Sequence, residues 1–357
     1  MNTHDRLSLL DGLRLLAAIS VVLYHTQLGT AGLSLFGRGY LFVDFFFLLS
    51  GFVLTIAAED RMNASGGALR FLRARVARLW PVIVIGALIG ALIRTIETGQ
   101  SVRMLLVQAM LLLPDVRDGV GHGGLIFPLN GPHWSMMLEV IANLAHALII
   151  RRLPDRVVLA VAALGGIVLA MTIGLFGSAT FGPDASNWWM GLARVGFSYP
   201  FGVWLARRWK RGNALRAQFP APLAPRSLAW VMALLLPVGL ILTLPLLPAG
   251  TAMGDATAIL FVFPPLLWLA ALATPPQFAG KWLRVAGLLS FPLYAVHLPI
   301  IQYVAGLGLG AAGQGLAVVA CLLAAALVAQ VPPLRALRPA PRFGRRPRIH
   351  APLTPQP

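Results

Sequence analysis

Long uninterrupted apolar runs recur along the whole chain, and they restrict its fold more than any other feature. A bilayer core about 30 Å thick takes roughly 20 apolar residues per helix. Ten runs approach that length and end at charge, proline or glycine, at about 8–27, 39–57, 76–96, 134–150, 157–177, 190–206, 227–247, 255–274, 285–306 and 314–331. These runs predict an all-α fold, a polytopic membrane helix bundle of about 10 transmembrane helices.

The overall composition supports this class of protein. Hydrophobic residues make up 58% of the 357 residues and charged residues only 11%, which is far from the balance of a soluble domain. A membrane barrel would need short segments of alternating hydrophobicity, whereas these runs are continuous. A further apolar stretch, Met104–Leu113, is too short to span and follows Arg103, so we predict an interfacial or re-entrant helix there.

The positions of the basic residues account for the net charge of +17 and predict the topology. Most of the 29 Lys and Arg residues fall at the N-terminus, in the loops after predicted helices 2, 4, 6 and 8, or in the tail. The positive-inside rule then places both termini in the cytoplasm, and the charge implies no nucleic-acid partner. We expect a membrane domain over residues 1–332 and a basic, Pro- and Arg-rich disordered tail over residues 333–357.

Ionisable residues inside the predicted spans are candidate functional residues, because each costs free energy in the membrane. The ones singled out as candidates are Asp11, Arg14, His25, Asp44, Glu139, Arg194 and His297. Arg14 and His25 are eleven residues apart, which is about three helical turns and about 16 Å, so both project from nearly the same face. One helix face could therefore contact both ends of an extended ligand.

Two carboxylates fall at a depth similar to that of His25 in the predicted topology. These are Asp44 in helix 2 and Glu139 in helix 4, and Glu139 shares a helix face with Ser135 four residues earlier. A carboxylate beside an imidazole fixes its tautomer and raises its basicity, which is what a general base needs. The sequence therefore predicts acid–base chemistry in the outer half of the membrane.

Arginines at the inner end of predicted helix 3 indicate a different chemistry. In the segment RFLRARVARLWP, Arg75 and Arg78 are three residues apart and share one helical face. That geometry suits a phosphate held between two guanidinium groups. The neighbouring Arg70 and Arg73 are better interpreted as topology anchors.

Each of these residues also has a structural interpretation. Arg14 is three residues from Asp11 and could pair with it, and Arg194 could pair with a carboxylate. His297 could be a packing residue. The residues alone leave three functions open: a membrane enzyme, a transporter that moves a glycolipid or acylated precursor without chemistry, and a scaffold subunit of a polysaccharide-export complex. A transporter is disfavoured because no internal repeat is visible.

Five motifs distinguish between these functions, and together they cover about residues 8–305. The first is Arg14, ten residues and then His25, in LDGLRLLAAISVVLYH. The others are VDFFFLLSGF (Val43–Phe52), RVARLWP (Arg75–Pro81), WSMMLE (Trp134–Glu139) and LSFPLYAVHLPI (Leu289–Ile300). Their order and spacing resemble the acyltransferase 3 family of bacterial membrane acyltransferases. One departure is that VIANLAH follows Glu139, where the family often has an aromatic pair.

The resemblance implies a reaction. The chain would transfer an acyl group, commonly acetyl, from acyl-coenzyme A to a hydroxyl of a glycan, glycolipid or hydrophobic small molecule. We expect it in the bacterial cytoplasmic (inner) membrane as a multi-pass protein, with acetyl-CoA as donor, a carbohydrate or lipid-linked acceptor, membrane lipids as further partners, and no metal.

The resemblance also implies roles for particular residues. Arg14, Arg75 and Arg78 would bind the donor. His25, oriented by Asp44 or Glu139, would deprotonate the acceptor hydroxyl or carry the acyl group covalently. The residues expected to shape the site are Trp134, Ser135, Tyr294 and His297.

Overall fold

The computed structural model describes residues 3–26, 37–116, 124–216, 251–272, 275 and 277–331. No β-strand forms among these residues; the only pairing of that kind is an isolated antiparallel bridge between Leu125 and Asp184. The predicted all-α fold is therefore confirmed for the part of the chain that the structure describes.

The main helices are given in chain order. They are α1 (Thr3–Thr26), α2 (Phe42–Met62), α3 (Gly67–Thr98), α4 (Arg103–Met110), α5 (His133–Leu148), α6 (Asp155–Phe176), α7 (Gly191–Arg216), α8 (Thr251–Thr257), α9 (Phe263–Leu272), α10 (Gln277–Gly306) and α11 (Gly310–Val328). A π-helical segment, Ala258–Val262, joins α8 to α9.

Eight helical stretches in the described ranges are long and apolar enough to cross a membrane. They are Ser8–Thr26, Gly39–Met62, Gly67–Thr98, His133–Arg152, Asp155–Phe176, Ala252–Leu272, Phe278–Gly306 and Gly310–Val328. The polytopic helical bundle is thus supported, with eight such stretches where the sequence predicted ten spans. The predicted span at 190–206 does form helix α7, but Arg194, Pro200 and the arginines after Leu205 make it less apolar than the other eight. The predicted span at 227–247 and the predicted tail at 333–357 lie outside the described residues.

Several helices extend beyond the apolar runs that predict them. Helix α3 has 32 residues and is about 48 Å long, whereas the run covers only residues 76–96. The run ends at the first charges, but backbone hydrogen bonding continues through the arginine-rich first turns. The predicted short helix is confirmed as α4, which packs on α3 and is tied to it by a 3.1 Å hydrogen bond from Trp80 Nε1 to the Met110 carbonyl.

The packing of the long helices determines where the polar residues meet. Helix α1 runs along α10, which α11 covers on another side, and α2 runs along α7, which also packs on α6. At the α2–α7 crossing the backbones approach closely, because a Cβ added at Gly51 would be 2.2 Å from the Tyr199 carbonyl oxygen. Some polar residues of α1, α2, α3, α5 and α10, among them Arg14, Arg75 and Glu139, face a common space.

Candidate active site

A cavity of about 140 Å³ lies between α1, α2, α3, α5 and α10, and we call it the arginine cavity. Its polar lining consists of Arg14, Ser50, Arg75, Arg78, Ser135, Glu139, Ser290 and Tyr294. Apolar residues of α2 and α10, such as Phe46 and Phe291, complete the wall. The three arginines predicted to bind a donor therefore share one cavity with Glu139, although they come from two helices.

Glu139 is held in the arginine cavity by two neighbours. Ser50 Oγ donates a 3.0 Å hydrogen bond to Glu139 Oε1, and the Arg75 guanidinium forms an ion pair with the same oxygen. The Nε of Arg75 is buried and has no hydrogen-bond partner among the described residues. Arg75 therefore keeps an unused N–H donor. Glu139 pairs with Arg75, whereas the sequence predicted that it would orient the imidazole of His25.

The other two arginines of the cavity are more accessible. Arg78 is exposed, whereas the side chain of Arg14 is 21% exposed. Arg14 Nη1 lies 3.5 Å from Asp11 Oδ1, so the predicted structural pair with Asp11 forms, at the long end of ion-pair geometry. Arg73, which lies five residues before Arg78 and points to a different side of α3, is exposed and does not line the cavity.

Ser135 and Tyr294 form a buried hydrogen-bonded pair at the wall of the arginine cavity. Ser135 Oγ lies 2.6 Å from the Tyr294 hydroxyl and 3.0 Å from the Pro132 carbonyl oxygen. Because a carbonyl oxygen only accepts, the serine proton goes to Pro132 and the tyrosine hydroxyl donates to Ser135. This pair joins α5 to α10 and fixes the tyrosine ring in the cavity.

His25 lies outside the arginine cavity, next to His297. The two ring centroids are 5.2 Å apart. His297 is fully buried, and its Nδ1 lies 2.8 Å from the Tyr294 carbonyl oxygen, so it donates there. The Nε2 of His297 is then a hydrogen-bond acceptor, and it has no partner among the described residues. His297 and Tyr294 are three residues apart on α10 and stand between His25 and the arginine cavity.

His25 lines a second cavity, of about 440 Å³, between α1, α10 and α11. We call it the histidine cavity. It also contains Gln302 of α10 and Gln314 of α11. The structure therefore places the predicted donor-binding arginines and the predicted catalytic histidine in two cavities, with α10 contributing to both.

Asp44 is paired with Arg194 instead of with His25, which corrects the predicted arrangement. Arg194 Nη2 and Nε lie 2.6 Å and 3.1 Å from Asp44 Oδ2, and both side chains are about 1% exposed. This happens because α2 packs along α7, which brings Arg194 to the carboxylate. The alternative that Arg194 pairs structurally with a carboxylate is confirmed, and the catalytic role of Asp44 stays a prediction.

Trp134 belongs to the same buried group as Asp44. The Arg194 guanidinium carbon lies 5.2 Å from the centroid of the Trp134 ring, which is a cation–π contact. Arg194 also donates hydrogen bonds to the carbonyls of Tyr40 (2.9 Å) and Phe181 (3.2 Å). Trp134 therefore supports the ion pair and does not line the arginine cavity.

Some polar residues near the site were missed by the sequence analysis. Ser50 and Ser290 line the arginine cavity, and both lie inside the family-like motifs without having been given a role. Asp255 is fully buried and accepts hydrogen bonds from the Tyr40 hydroxyl (2.7 Å) and the Ala179 N–H (2.9 Å). Asp255 could have been found from the sequence, because it is a carboxylate at the first position of the apolar run 255–274.

A further buried polar cluster joins α2, α5 and α7. Arg207 Nη2 lies 2.5 Å from Glu59 Oε1, and His146 Nε2 lies 3.5 Å from the same oxygen. His146 Nδ1 is 3.0 Å from the Tyr199 hydroxyl. This cluster was not predicted from the sequence, because Glu59 and Arg207 fall just beyond the predicted apolar runs and His146, inside the run 134–150, had no visible partner.

Comparison with known proteins connects these cavities with a chemistry. A family model described as an acyltransferase domain (Acyl_transf_3) matches residues 7–331. "Acyltransferase MdmB" of Streptomyces mycarofaciens is 29% identical over 334 residues, which cover 84% of this chain and 80% of that protein. "Protein 2 in picA locus" of Rhizobium radiobacter is 34% identical over 167 residues, 40% of this chain and 82% of that protein. No solved structure matches the chain significantly.

The family match covers both cavities and the helices that build them. It favours the enzyme over the transporter and scaffold alternatives, because the matched model and the Streptomyces relative are both described as acyltransferases. The chain belongs to the acyltransferase 3 family.

Proposed function

We propose that this protein is an O-acyltransferase of the bacterial cytoplasmic membrane. It transfers an acyl group, acetyl in the simplest case, from acyl-CoA to a hydroxyl of a glycan, glycolipid or similar acceptor. The observation that carries this proposal is the arginine cavity, in which three arginines and one carboxylate meet inside an acyltransferase-family chain.

The charge of the arginine cavity suits the phosphates of coenzyme A. Among the described residues that line the cavity there are three guanidinium groups and one carboxylate. Glu139 neutralises Arg75 in part, and Asp11, outside this lining, pairs with Arg14 at 3.5 Å. Arg78 is exposed, so it can donate charge-assisted hydrogen bonds to an incoming phosphate, while the buried Nε–H of Arg75 is an unused donor deeper in the site. At about 140 Å³ the cavity is smaller than a typical pocket of ~300–1,000 Å³. The nucleotide would therefore stay at the mouth on Arg78, while the narrower thioester arm enters along Arg14.

The reaction needs a base at the far end of that arm. His25 would take the proton of the acceptor hydroxyl, the hydroxyl oxygen would attack the thioester carbonyl, and the carbon–sulfur bond would break. The thiolate of coenzyme A would leave and regain the proton. Alternatively, His25 would attack first and hold the acyl group until the hydroxyl displaces it. Tyr294 and His297, one turn apart on α10, lie between the arginine cavity and His25 and would shape the path of the acyl group.

The donor assignment is tested by coenzyme A binding to purified protein in nanodiscs. Arg78→Gln should weaken acetyl-CoA binding by about tenfold or more, the equivalent of one charge-assisted hydrogen bond. Arg73→Gln, an exposed arginine on the same helix outside the cavity, is the matched control and should bind like wild type. S-acetylpantetheine lacks the nucleotide phosphates and should bind wild type and Arg78→Gln equally. Equal weakening of acetyl-CoA binding by both arginine variants would refute the assignment.

The chemical step is tested with labelled acetyl-CoA and His25→Ala. This variant should bind acetyl-CoA like wild type but neither release free coenzyme A nor carry label. Full turnover by His25→Ala would contradict the role of His25. If Arg14→Lys weakens acetyl-CoA binding while the protein stays folded in the membrane, Arg14 contacts the donor. If less protein inserts into the membrane, Arg14 has a structural role through its pair with Asp11.

A further inference from the structure

We propose that the histidine cavity is the acceptor site and that it selects an uncharged, hydroxyl-bearing amphiphile, with Gln302 and Gln314 as the residues that hydrogen-bond its polar end. This inference rests on the proposed function, because it assigns the second substrate of the same reaction. It is carried by the size, lining and position of the histidine cavity.

The histidine cavity is large enough to enclose a small-molecule substrate, whereas the smaller arginine cavity would admit only the thioester arm of the donor. Its volume of about 440 Å³ lies within the ~300–1,000 Å³ range of small-molecule sites. His25 and Thr26 contribute from α1, Gln302 from α10 and Gln314 from α11. A hydroxyl compound in this cavity would therefore be in contact with the predicted base.

The polar groups of this cavity match a neutral ligand. Among the described residues that line it, His25 is the only one with a titratable side chain. Gln302 and Gln314 each offer an amide that both donates and accepts, and a hydroxyl group also does both. An anionic headgroup would find no arginine or lysine among these described lining residues, in contrast to the arginine cavity. The cavity therefore favours an uncharged sugar or polyol group.

The remaining lining is apolar and matches a hydrophobic body. It includes Leu298, Ile301, Val304, Ala305, Leu309 and Ala317. Gln302 and Leu309 are exposed, so the cavity is open at the ends of α10 and α11. An amphiphile could thus enter with its apolar part against α10 and α11 and its hydroxyl groups on the two amides.

The two cavities also keep the substrates apart until they react. The donor would occupy the arginine cavity and the acceptor the histidine cavity, with Tyr294 and His297 between them. Because the sites are separate, acceptor and donor should not compete. A substitution in the histidine cavity should therefore raise the KM for the acceptor without changing the affinity for the donor.

The test is photolabelling in nanodiscs with a diazirine-bearing octyl glucoside, compared with the diazirine-bearing octyl phosphate. The neutral probe should label the segment 298–317 saturably, and excess octyl glucoside should compete with it. The anionic probe should label this segment at least several-fold less. Absence of saturable labelling there, or equal labelling by both probes, would overturn the proposal.

Two variants locate the labelling in the cavity. Ala305→Phe fills the cavity and should abolish labelling, whereas Ala312→Phe, on the opposite face of α11, should label like wild type. Gln302→Leu should raise the half-saturating probe concentration about fivefold, the equivalent of one neutral hydrogen bond. Unchanged labelling of Ala305→Phe and Gln302→Leu would overturn the proposal even if the segment itself is labelled.

Acetyl-CoA binding by the same samples shows whether each variant is folded and separates the two proposals. If wild type binds acetyl-CoA through Arg78 but the neutral probe does not label the segment, the acceptor site is wrong and the proposed function stands. If the segment is labelled but acetyl-CoA does not bind, the donor assignment is wrong.

Discussion

Removing the negative charge of Asp44 should strongly destabilise the protein, because it leaves the Arg194 guanidinium buried without its counter-ion. Both side chains are about 1% exposed, and their closest contact is 2.6 Å. Breaking a buried ion pair by removing one partner costs about 3–5 kcal/mol. In Asp44→Asn, Arg194 would still donate to the Tyr40 and Phe181 carbonyls. We therefore expect the free energy of unfolding to fall by about 3 kcal/mol, at the lower end of that range.

The assay is denaturant unfolding in mixed micelles, with Asp60→Asn as the matched control on the same helix. Asp60 also contacts a cation at 2.6 Å, Lys210, but its side chain is 78% exposed. An exposed ion pair contributes less than about 1 kcal/mol, so Asp60→Asn should unfold almost like wild type. If Asp44→Asn and Asp60→Asn lose equal stability, the reasoning from burial is refuted.

The double variant Asp44→Asn/Arg194→Met separates a structural role of Asp44 from a catalytic one. This variant has no buried, unpaired guanidinium at position 194, so it should recover most of the stability that Asp44→Asn loses. If acyl transfer returns with stability, Asp44 acts through the fold. If the recovered protein binds acetyl-CoA but does not transfer its acyl group, Asp44 takes part in the reaction.

Two further predictions concern the packing around the site and use the same unfolding measurement. Gly90→Ala should destabilise the protein by about 1–3 kcal/mol, because the new Cβ would lie 1.9 Å from the Leu129 carbonyl oxygen. In the control Gly174→Ala the new Cβ meets nothing within 4 Å, so this variant should be neutral or slightly stabilising. Equal stability of the two variants would show that the close approach at Gly90 is absent. Tyr40→Phe should cost about 1.5–3 kcal/mol, because the buried Asp255 carboxylate loses a 2.7 Å hydrogen bond, and wild-type stability would contradict that contact.

The candidate site was partly predictable because helical periodicity is a local property. Residues three or four apart share a face in any helix, so the sequence could group Arg75 with Arg78, and Ser135 with Glu139. Both groups do line the arginine cavity. The same local rule could not say that Arg75 on α3 would partner Glu139 on α5, since 64 residues separate them.

The partner of each buried charge was the main feature that the sequence could not predict. Similar predicted depth suggested that Asp44 would meet His25, but depth along the membrane normal says nothing about which helices are neighbours. The pairing of α2 with α7 brings Arg194 to Asp44, and the pairing of α1 with α10 brings His297 to His25. Their shared helix face also suggested that Arg14 and His25 contact one ligand, whereas they line different cavities.

The sequence by itself therefore determined that this chain is a helical membrane protein, and its motifs indicated the family. Apolar runs of bilayer length leave few alternatives to spanning helices, since every backbone polar group in the membrane must be hydrogen-bonded internally. Only the tertiary structure decided that the arginines and the histidine occupy separate cavities and that Asp44 belongs to a buried ion pair. The physical reason is that these arrangements depend on close helix packing between residues far apart in sequence, which no local pattern encodes.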